Sequence, residues 1–383
     1  MRLKASILGL VVLLVALTLG ALSLRGDDAI HWSPDGFIYA RMMLMDRGYS
    51  ASAADATARA FYMKKPVAVS GAALFQANPP NFWKQQPALF RGRLVYPYVA
   101  SLLYPRFGFS ALHVVSAVSY VCAVLLMYLF LLRFAPAPFA AIGAVIFASM
   151  DTVNFLAGSD STDELAFFLW IASVVVMIGF VQARRSWWLA LFTALCFILV
   201  FTRPIIFLSL GAALGVLVFG AVTRDKKNVA AGALLSLPVV LAGIAYLAAR
   251  FPGAMEQLQW HYHWQIETNQ WPQTSFLAFY AYYVTHAIVY EGHHLFADGL
   301  MLIIVIAAIA LYLNRREPFV SVFVGSCVGA LAVFFVNPHN ADLQRAFELP
   351  LTPALIVGFV LAMKKLLQPP PPAMDAPVAT APT

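Results

Sequence analysis

An all-α bundle that crosses a membrane about ten times is what this chain predicts, from its composition, the length of its apolar runs and the places where its basic residues fall. Hydrophobic residues make up 61% of the 383 and charged residues only 11%, against roughly 25% charged in a typical soluble domain. A net charge of +7 would suit a nucleic-acid partner only if the basic residues clustered on a solvated face. They punctuate hydrophobic runs instead, so they report topology, and no nucleic-acid partner is expected. Cys122, Cys196 and Cys327 all fall inside apolar segments without metal-ligand spacing, and read as small core residues.

The first run, residues 5–24, carries no charge, follows Arg2 and Lys4, and is long enough to cross the hydrocarbon core. It exceeds the roughly 7 to 15 residues of a signal-peptide core, so it reads as an uncleaved span with its N-terminus inside. The loop after it, residues 25–109, is too long for a tight turn and too poor in polar residues for disorder, which predicts a small folded cap. Residues 33–50, SPDGFIYARMMLMDRGYS, open that cap. Ser33 is a good N-cap, Pro34 suits the first helical position, and Asp35 falls in the first turn, where the helix dipole favours a carboxylate. Tyr39 lies one turn on, on the same face. The mostly apolar side chains from Phe37 to Met45 suit a helix lying along the bilayer surface. An Ala-rich piece follows at 51–61, then Lys64 and Lys65, then turn signals from Asn78 to Asn81. Residues 90–108, FRGRLVYPYVASLLYPRFG, predict a second interfacial helix with Arg91 and Arg93 at its start, where basic residues ordinarily snorkel toward headgroups.

Nine further apolar runs bring the count to ten, at 110–132, 137–156, 165–181, 187–201, 204–222, 229–247, 295–313, 319–336 and 349–361. Alternate short junctions carry Arg133, then Arg184 and Arg185, then Arg224, Lys226 and Lys227, then Arg315 and Arg316, then Lys364 and Lys365. The opposite short junctions carry only Arg203 and Arg345. Both termini are therefore expected in the cytoplasm, with the long loops 25–109 and 248–294 on the outer face. Residues 276–290 are apolar but short and aromatic, and letting them cross would put Arg315, Arg316, Lys364 and Lys365 outside, so they predict an interfacial or re-entrant helix. The transmembrane domain is bounded at 1–366, and the Pro- and Ala-rich residues 367–383 predict a disordered tail. Gly211 with Gly215, and Gly325 with Gly329, have the spacing of closely packed spans.

A transporter would place paired charges or helix breaks near the bilayer midplane. Here the unusual polar residues gather at one membrane face: Asp27, Asp28 and Asp35 after the first span, Asp160, Asp163 and Glu164 before the fourth, Arg203 between the fifth and sixth, and Arg345 before the tenth. Plainer roles stand beside the functional ones. Asp35 is also a helix-start stabiliser, Ser161 and Glu164 have capping-box spacing, and either arginine is placed to snorkel as well as to meet a phosphate. His293 and His294 are adjacent, an awkward geometry for one metal. Trp260, His261, Tyr262, His263 and Trp264 suit a sugar-stacking surface or an aromatic belt. No P-loop, GxGxxG, DxD, GxSxG or HExxH motif occurs, which removes support for nucleotide-sugar, ATP-driven and common hydrolytic chemistry.

Asp35, Tyr39, Ala40 and Gly48 together resemble the acid-then-tyrosine helix of the GT-C superfamily of integral membrane glycosyltransferases. Arg91, Arg93, Tyr96 and Pro97 are similar to that family's second interfacial helix, and Thr162 and Asp163 with the apolar run after them to the start of its fourth span. Arg203 with Pro204, and Arg345 followed by Pro350, are weaker matches. The resemblance implies a hexosyl- or pentosyltransferase of the plasma (inner) membrane, acting on the outer face with inversion at the anomeric carbon. Its partners would be membrane lipid, a polyprenyl-phosphate sugar as donor and a glycan, lipid or protein as acceptor. Asp35 and Asp163 are the expected catalytic acids, with Asp35 taking the acceptor proton and Asp163 or Asp160 orienting the acceptor or holding a divalent cation, magnesium or manganese. Tyr39, Arg91, Arg93, Asp160, Glu164, Arg203 and Arg345 are the expected substrate-binding residues, with Arg345 preferred over Arg203 for the donor phosphate. Gly36 stands where some members have a second acid, so the resemblance leaves metal use open. A lipid or sugar-lipid flippase and a non-catalytic scaffold are the competing readings.

Overall fold

The computed structural model describes residues 2–24, 32–65, 90, 92–203, 205–248, 258–259, 262–263, 265–266, 274–297, 300–336 and 349–367, and every element among them is helical. The N-terminal half runs α1 (Arg2–Leu22), α2 (Pro34–Asp46), α3 (Ala51–Tyr62), α4 (Val95–Phe107), α5 (Ala111–Leu131), α6 (Ala137–Ser149), α7 (Asp151–Ala157) and α8 (Asp163–Ala183). The C-terminal half runs α9 (Ser186–Thr202), α10 (Ile206–Val222), α11 (Lys226–Ala248), α12 (Phe276–Ala297), α13 (Leu300–Leu313), α14 (Pro318–Val336) and α15 (Leu349–Leu367).

Among the described residues, four helical stretches are long and apolar enough to cross a membrane: residues 5–22, 95–131, 163–183 and 226–248. Shorter apolar helices fill the intervals. The second of these stretches is interrupted where Gly108, at φ +56°, opens a short 3-10 turn between α4 and α5. The chain is thus a membrane-type helical bundle.

Helix α8 is central. Its residues are buried on every side, among them Phe167, Trp170, Ile171, Val174 and Met177, as befits a helix that is apolar all round. It packs on α5 and α9. The two GxxxG motifs meet each other: a Cβ at Gly211 or Gly215 would run into the backbone of α14, and one at Gly325 or Gly329 into the backbone of α10. Only glycine permits that approach, and it lets two whole helix backbones gain van der Waals contact.

A second, smaller core forms the cap. Phe37, Tyr39, Met43 and Leu44 of α2, Ala54, Ala58 and Tyr62 of α3, Tyr96 and Ala100 of α4, and Leu112 and Val115 of α5 close around Trp32 and Phe90. Each large side chain buried there contributes about 1.5–3 kcal/mol. The apolar run of α2 therefore goes into a protein core; α3 and α4 cover it.

Three boundaries differ from the sequence reading. The run 137–156 is broken at Met150, which is extended at ψ 129°, so α6 and α7 are separate helices. The Tyr120 hydroxyl donates to the Ala148 carbonyl at 2.7 Å, satisfying an acceptor at the end of α6. The helix expected at 276–290 continues to Ala297, taking the first residues of the run 295–313, and α13 starts only at Leu300. Polar Glu291, His293 and His294 interrupt an apolar run without interrupting a helix. Finally, α15 carries on through Lys364 and Lys365 to Leu367, one residue into the expected tail.

Candidate functional site

Four stretches far apart in the chain meet at one end of α8: the first turn of α2, Arg93 just before α4, the segment 159–163, and Arg203 just after α9. The α2 start is built by local chemistry. Ser33 is extended at φ −109° and ψ 157°, and its Oγ accepts from the Gly36 N–H at 3.0 Å, with Pro34 opening the helix.

Asp160 locks this turn to the bundle. Its Oδ1 accepts from the Ser33 N–H at 2.9 Å and from the Ser33 hydroxyl at 2.6 Å, and its Oδ2 accepts from the Tyr62 hydroxyl at 2.7 Å. Gly36 is obligatory here, because a Cβ on it would overlap the Asp160 carboxyl group. Burial pushes Asp160 up to about 7, against the lowering effect of the Ser33 and Tyr62 hydrogen bonds, and the nearby charge of Asp35 adds to the rise. Burial, with the Asp160 charge behind it, likewise raises Tyr62 well above its ordinary value.

Beyond that pin lies a mixed-charge cluster. The Tyr39 hydroxyl receives a hydrogen bond from an Arg93 Nη at 2.7 Å and sits 3.3 Å from Thr162 Oγ1. Arg203 Nη1 lies 2.5 Å from Asp163 Oδ1. Burial opposes charge on Arg93, but Tyr39, Asp35 and Asp163 overcompensate and hold its guanidinium more firmly protonated than a free arginine. Burial also raises Tyr39 above its ordinary value, opposed by Arg93 and Arg203 and reinforced by Asp35. These influences place Tyr39 in the fields of Arg93, Asp35 and Arg203, and Arg93 in those of Asp35 and Asp163.

No family model and no curated protein matches this chain.

The acids divide into three roles. Asp160 and Glu164 are fully buried, and Asp163 is 2% exposed, whereas Asp35 keeps partial exposure. Asp160 is buried and accepts hydrogen bonds at both oxygens, so it pins the α2 start to the bundle. The capping box expected of Ser161 and Glu164 does not form: Thr162 occupies the N-cap without a side-chain capping bond, and among the described residues neither Glu164 oxygen has a hydrogen-bond partner. Asp163 holds Arg203. Asp35 is partly exposed and lies in the field of Arg93.

Arg203 has a tertiary role as well as a local one, since it crosses from the end of α9 to the start of α8. Arg91, Arg345, Asp27 and Asp28 lie outside the described residues. Of the acids named for magnesium or manganese, Asp160 accepts three hydrogen bonds and Asp163 is paired with a guanidinium. Among the described residues no group of three or more His, Cys, Asp or Glu side chains converges.

Sequence reasoning missed Tyr62 and His113. Tyr62 ends an Ala-rich helix with no motif around it. His113 is buried in α5, its Nδ1 lies 3.0 Å from the Gly158 carbonyl oxygen, and Trp32 packs edge-on against its ring. Both fix the segment 158–163 against the cap.

Proposed function

We propose that this chain is a membrane glycosyltransferase of the GT-C kind, moving a sugar from a polyprenyl-phosphate donor to an acceptor hydroxyl with inversion. The observation that carries the reading is the convergence of a partly exposed Asp35 with Tyr39, Arg93 and the Asp163–Arg203 pair at one end of the bundle. In this mechanism Asp35 takes the proton from the acceptor hydroxyl as its oxygen attacks the anomeric carbon. The bond from that carbon to the phosphate oxygen breaks on the opposite side. Negative charge then grows on the departing lipid phosphate, where a preorganised guanidinium is most effective. Arg93 is the described arginine best placed for this, with Arg203 held in orientation by Asp163 and with Arg345 as a further candidate. No step in this scheme passes through a metal ion.

The proposal includes the topology: ten spans in the plasma (inner) membrane, both termini cytoplasmic, and cap helices α2 and α4 lying at the outer interface. The alternation of basic junctions supports it. Cysteine labelling tests it, since reaction of position 226 with an impermeant reagent in intact cells would contradict the assignment.

The activity is tested by reconstituting the purified protein in liposomes with a panel of polyprenyl-phosphate sugars and candidate acceptors. Product formation is the expected result. Movement of the donor across the bilayer without transfer would replace the reading with a flippase.

A further inference from the structure

At the opposite end of α8 from the acidic site, a cavity of about 260 Å³ opens between the ends of α5, α8, α13, α14 and α15. Gln182, on its wall, lies 19 residues along α8 from Asp163, roughly 29 Å at about 1.5 Å per residue. That is close to the thickness of a bilayer's hydrocarbon core. The cavity is therefore a separate site on the other membrane face, the one where the basic junction residues gather.

The lining is amphiphilic. Phe130, Ile178 and Leu361 are buried and give it an apolar floor, while Arg133, Lys364, Glu317 and Asn314 stand around it. Among the described residues, neither Arg133, Lys364 nor Glu317 enters an ion pair. Lys364 Nζ donates one hydrogen bond, to the Phe134 carbonyl at 3.0 Å, and keeps two N–H groups. The Arg133 guanidinium lies 6.0 Å from the Trp188 ring centre and keeps its fork of donors. Asn314 spends its Nδ2 on the Ala310 carbonyl at 2.7 Å, so its Oδ1 remains as an acceptor beside Glu317.

We propose that this cavity binds the headgroup of a phospholipid bearing a primary amine, that is, a phosphoethanolamine headgroup. Arg133 and Lys364 take the phosphate, and Glu317 with Asn314 takes the ammonium. The charge pattern is the argument. Two cations alone would suit any anionic lipid, but a carboxylate in the same cavity repels a purely anionic headgroup and attracts a zwitterion. A quaternary choline has no N–H to give to Glu317 or Asn314, whereas a primary ammonium has three. Basic pockets between transmembrane helices are a known physical setting for headgroup binding. The volume is below the roughly 300–1,000 Å³ of drug-sized sites, enough for a headgroup while the acyl chains stay in the bilayer. This proposal is independent of the transferase reading.

The test measures thermal unfolding of the purified full-length protein in detergent, with ethanolamine, glycerol or choline phospholipids of identical acyl chains, and with free phosphoethanolamine. The ethanolamine lipid should raise the midpoint most. Arg133→Ala with Lys364→Ala should weaken that lipid's binding at least about tenfold, and Glu317→Gln should erase its advantage over the glycerol lipid. Glu317 is exposed, so its variant keeps the lipid-free midpoint and serves as the control if the double variant fails to fold. Equal shifts from all three lipids, or an unchanged preference in Glu317→Gln, would overturn the proposal. An equal shift from free phosphoethanolamine would assign the cavity to a soluble ligand and also overturn it.

Discussion

Neutralising Arg203 should be far more damaging than its place at a turn would suggest. Its Nη1 lies 2.5 Å from Asp163 Oδ1, with the two side chains only 11% and 1% exposed. Removing one partner of a buried ion pair leaves an uncompensated charge, at a typical cost of about 3–5 kcal/mol. Arg203→Ala is expected to fall toward the lower end of that range, because the Asp163 carboxylate has almost no access to water but stays in the field of Arg93. Asp163→Asn should cost less, since Arg203 retains some exposure. A loss of about 3 kcal/mol lowers the folded-to-unfolded ratio by roughly 150-fold. The double variant Asp163→Asn with Arg203→Gln removes both charges and should recover much of the loss. The assay is equilibrium unfolding of each variant in mixed micelles, assembled into a double-mutant cycle, where residues in contact show coupling of about 0.5–3 kcal/mol. If the single losses simply add in the double variant, the ion pair does not join α8 to α9, and the reasoning fails.

Gly36→Ala should destabilise by about 1–3 kcal/mol, the usual cost of overpacking a filled site, because its Cβ meets the Asp160 carboxyl; an Asp160→Gly partner should recover part of the loss in the same unfolding measurement. The pH dependence follows from Asp160, whose folded value of about 7 stands above its ordinary 3.8. The folded state then binds the proton more tightly than the unfolded state, so this stabilisation is complete below about pH 4 and is lost as pH rises toward 7. At about 1.4 kcal/mol per pH unit it is on the order of 4 kcal/mol, and subtracting an Asp160→Asn melting series from the parent's should isolate it; a flat difference curve would reject it. Gly325→Val should separate α10 from α14 and lower the melting midpoint more than Val328→Ala, whose side chain is 59% exposed on the same helix.

Features set by local chemistry were legible from the chain. Ser33, Pro34 and Asp35 announce a helix start because capping involves only neighbours along the backbone, and Gly211, Gly215, Gly325 and Gly329 announce close packing because few other arrangements need that spacing. What stayed hidden depends on partners far away. Asp160 looked like one more acid before a span, and its three hydrogen bonds come from Ser33 and Tyr62, 127 and 98 residues distant. Gly36 stands in the sequence where a second acid would, and the requirement for glycine there comes from the Asp160 carboxyl pressed against it. Nothing in the residues around Arg203 points to Asp163, 40 positions earlier in the chain, so their ion pair is not legible in the sequence. The break at Met150 carries no proline or glycine, and a hydroxyl from another helix meets the carbonyl beside it.

We propose that Asp35 does chemistry while Arg93 and the other arginines of the site bind the donor. Donor affinity and transfer rate, measured side by side for the parent and Asp35→Asn in liposomes, test it most directly. Asparagine at 35 keeps the volume and the helix start, so the variant should bind the polyprenyl-phosphate sugar as the parent does and lose turnover by about 100-fold or more, the usual worth of a positioned general base. Full turnover in a folded Asp35→Asn protein would rule out Asp35 as the general base.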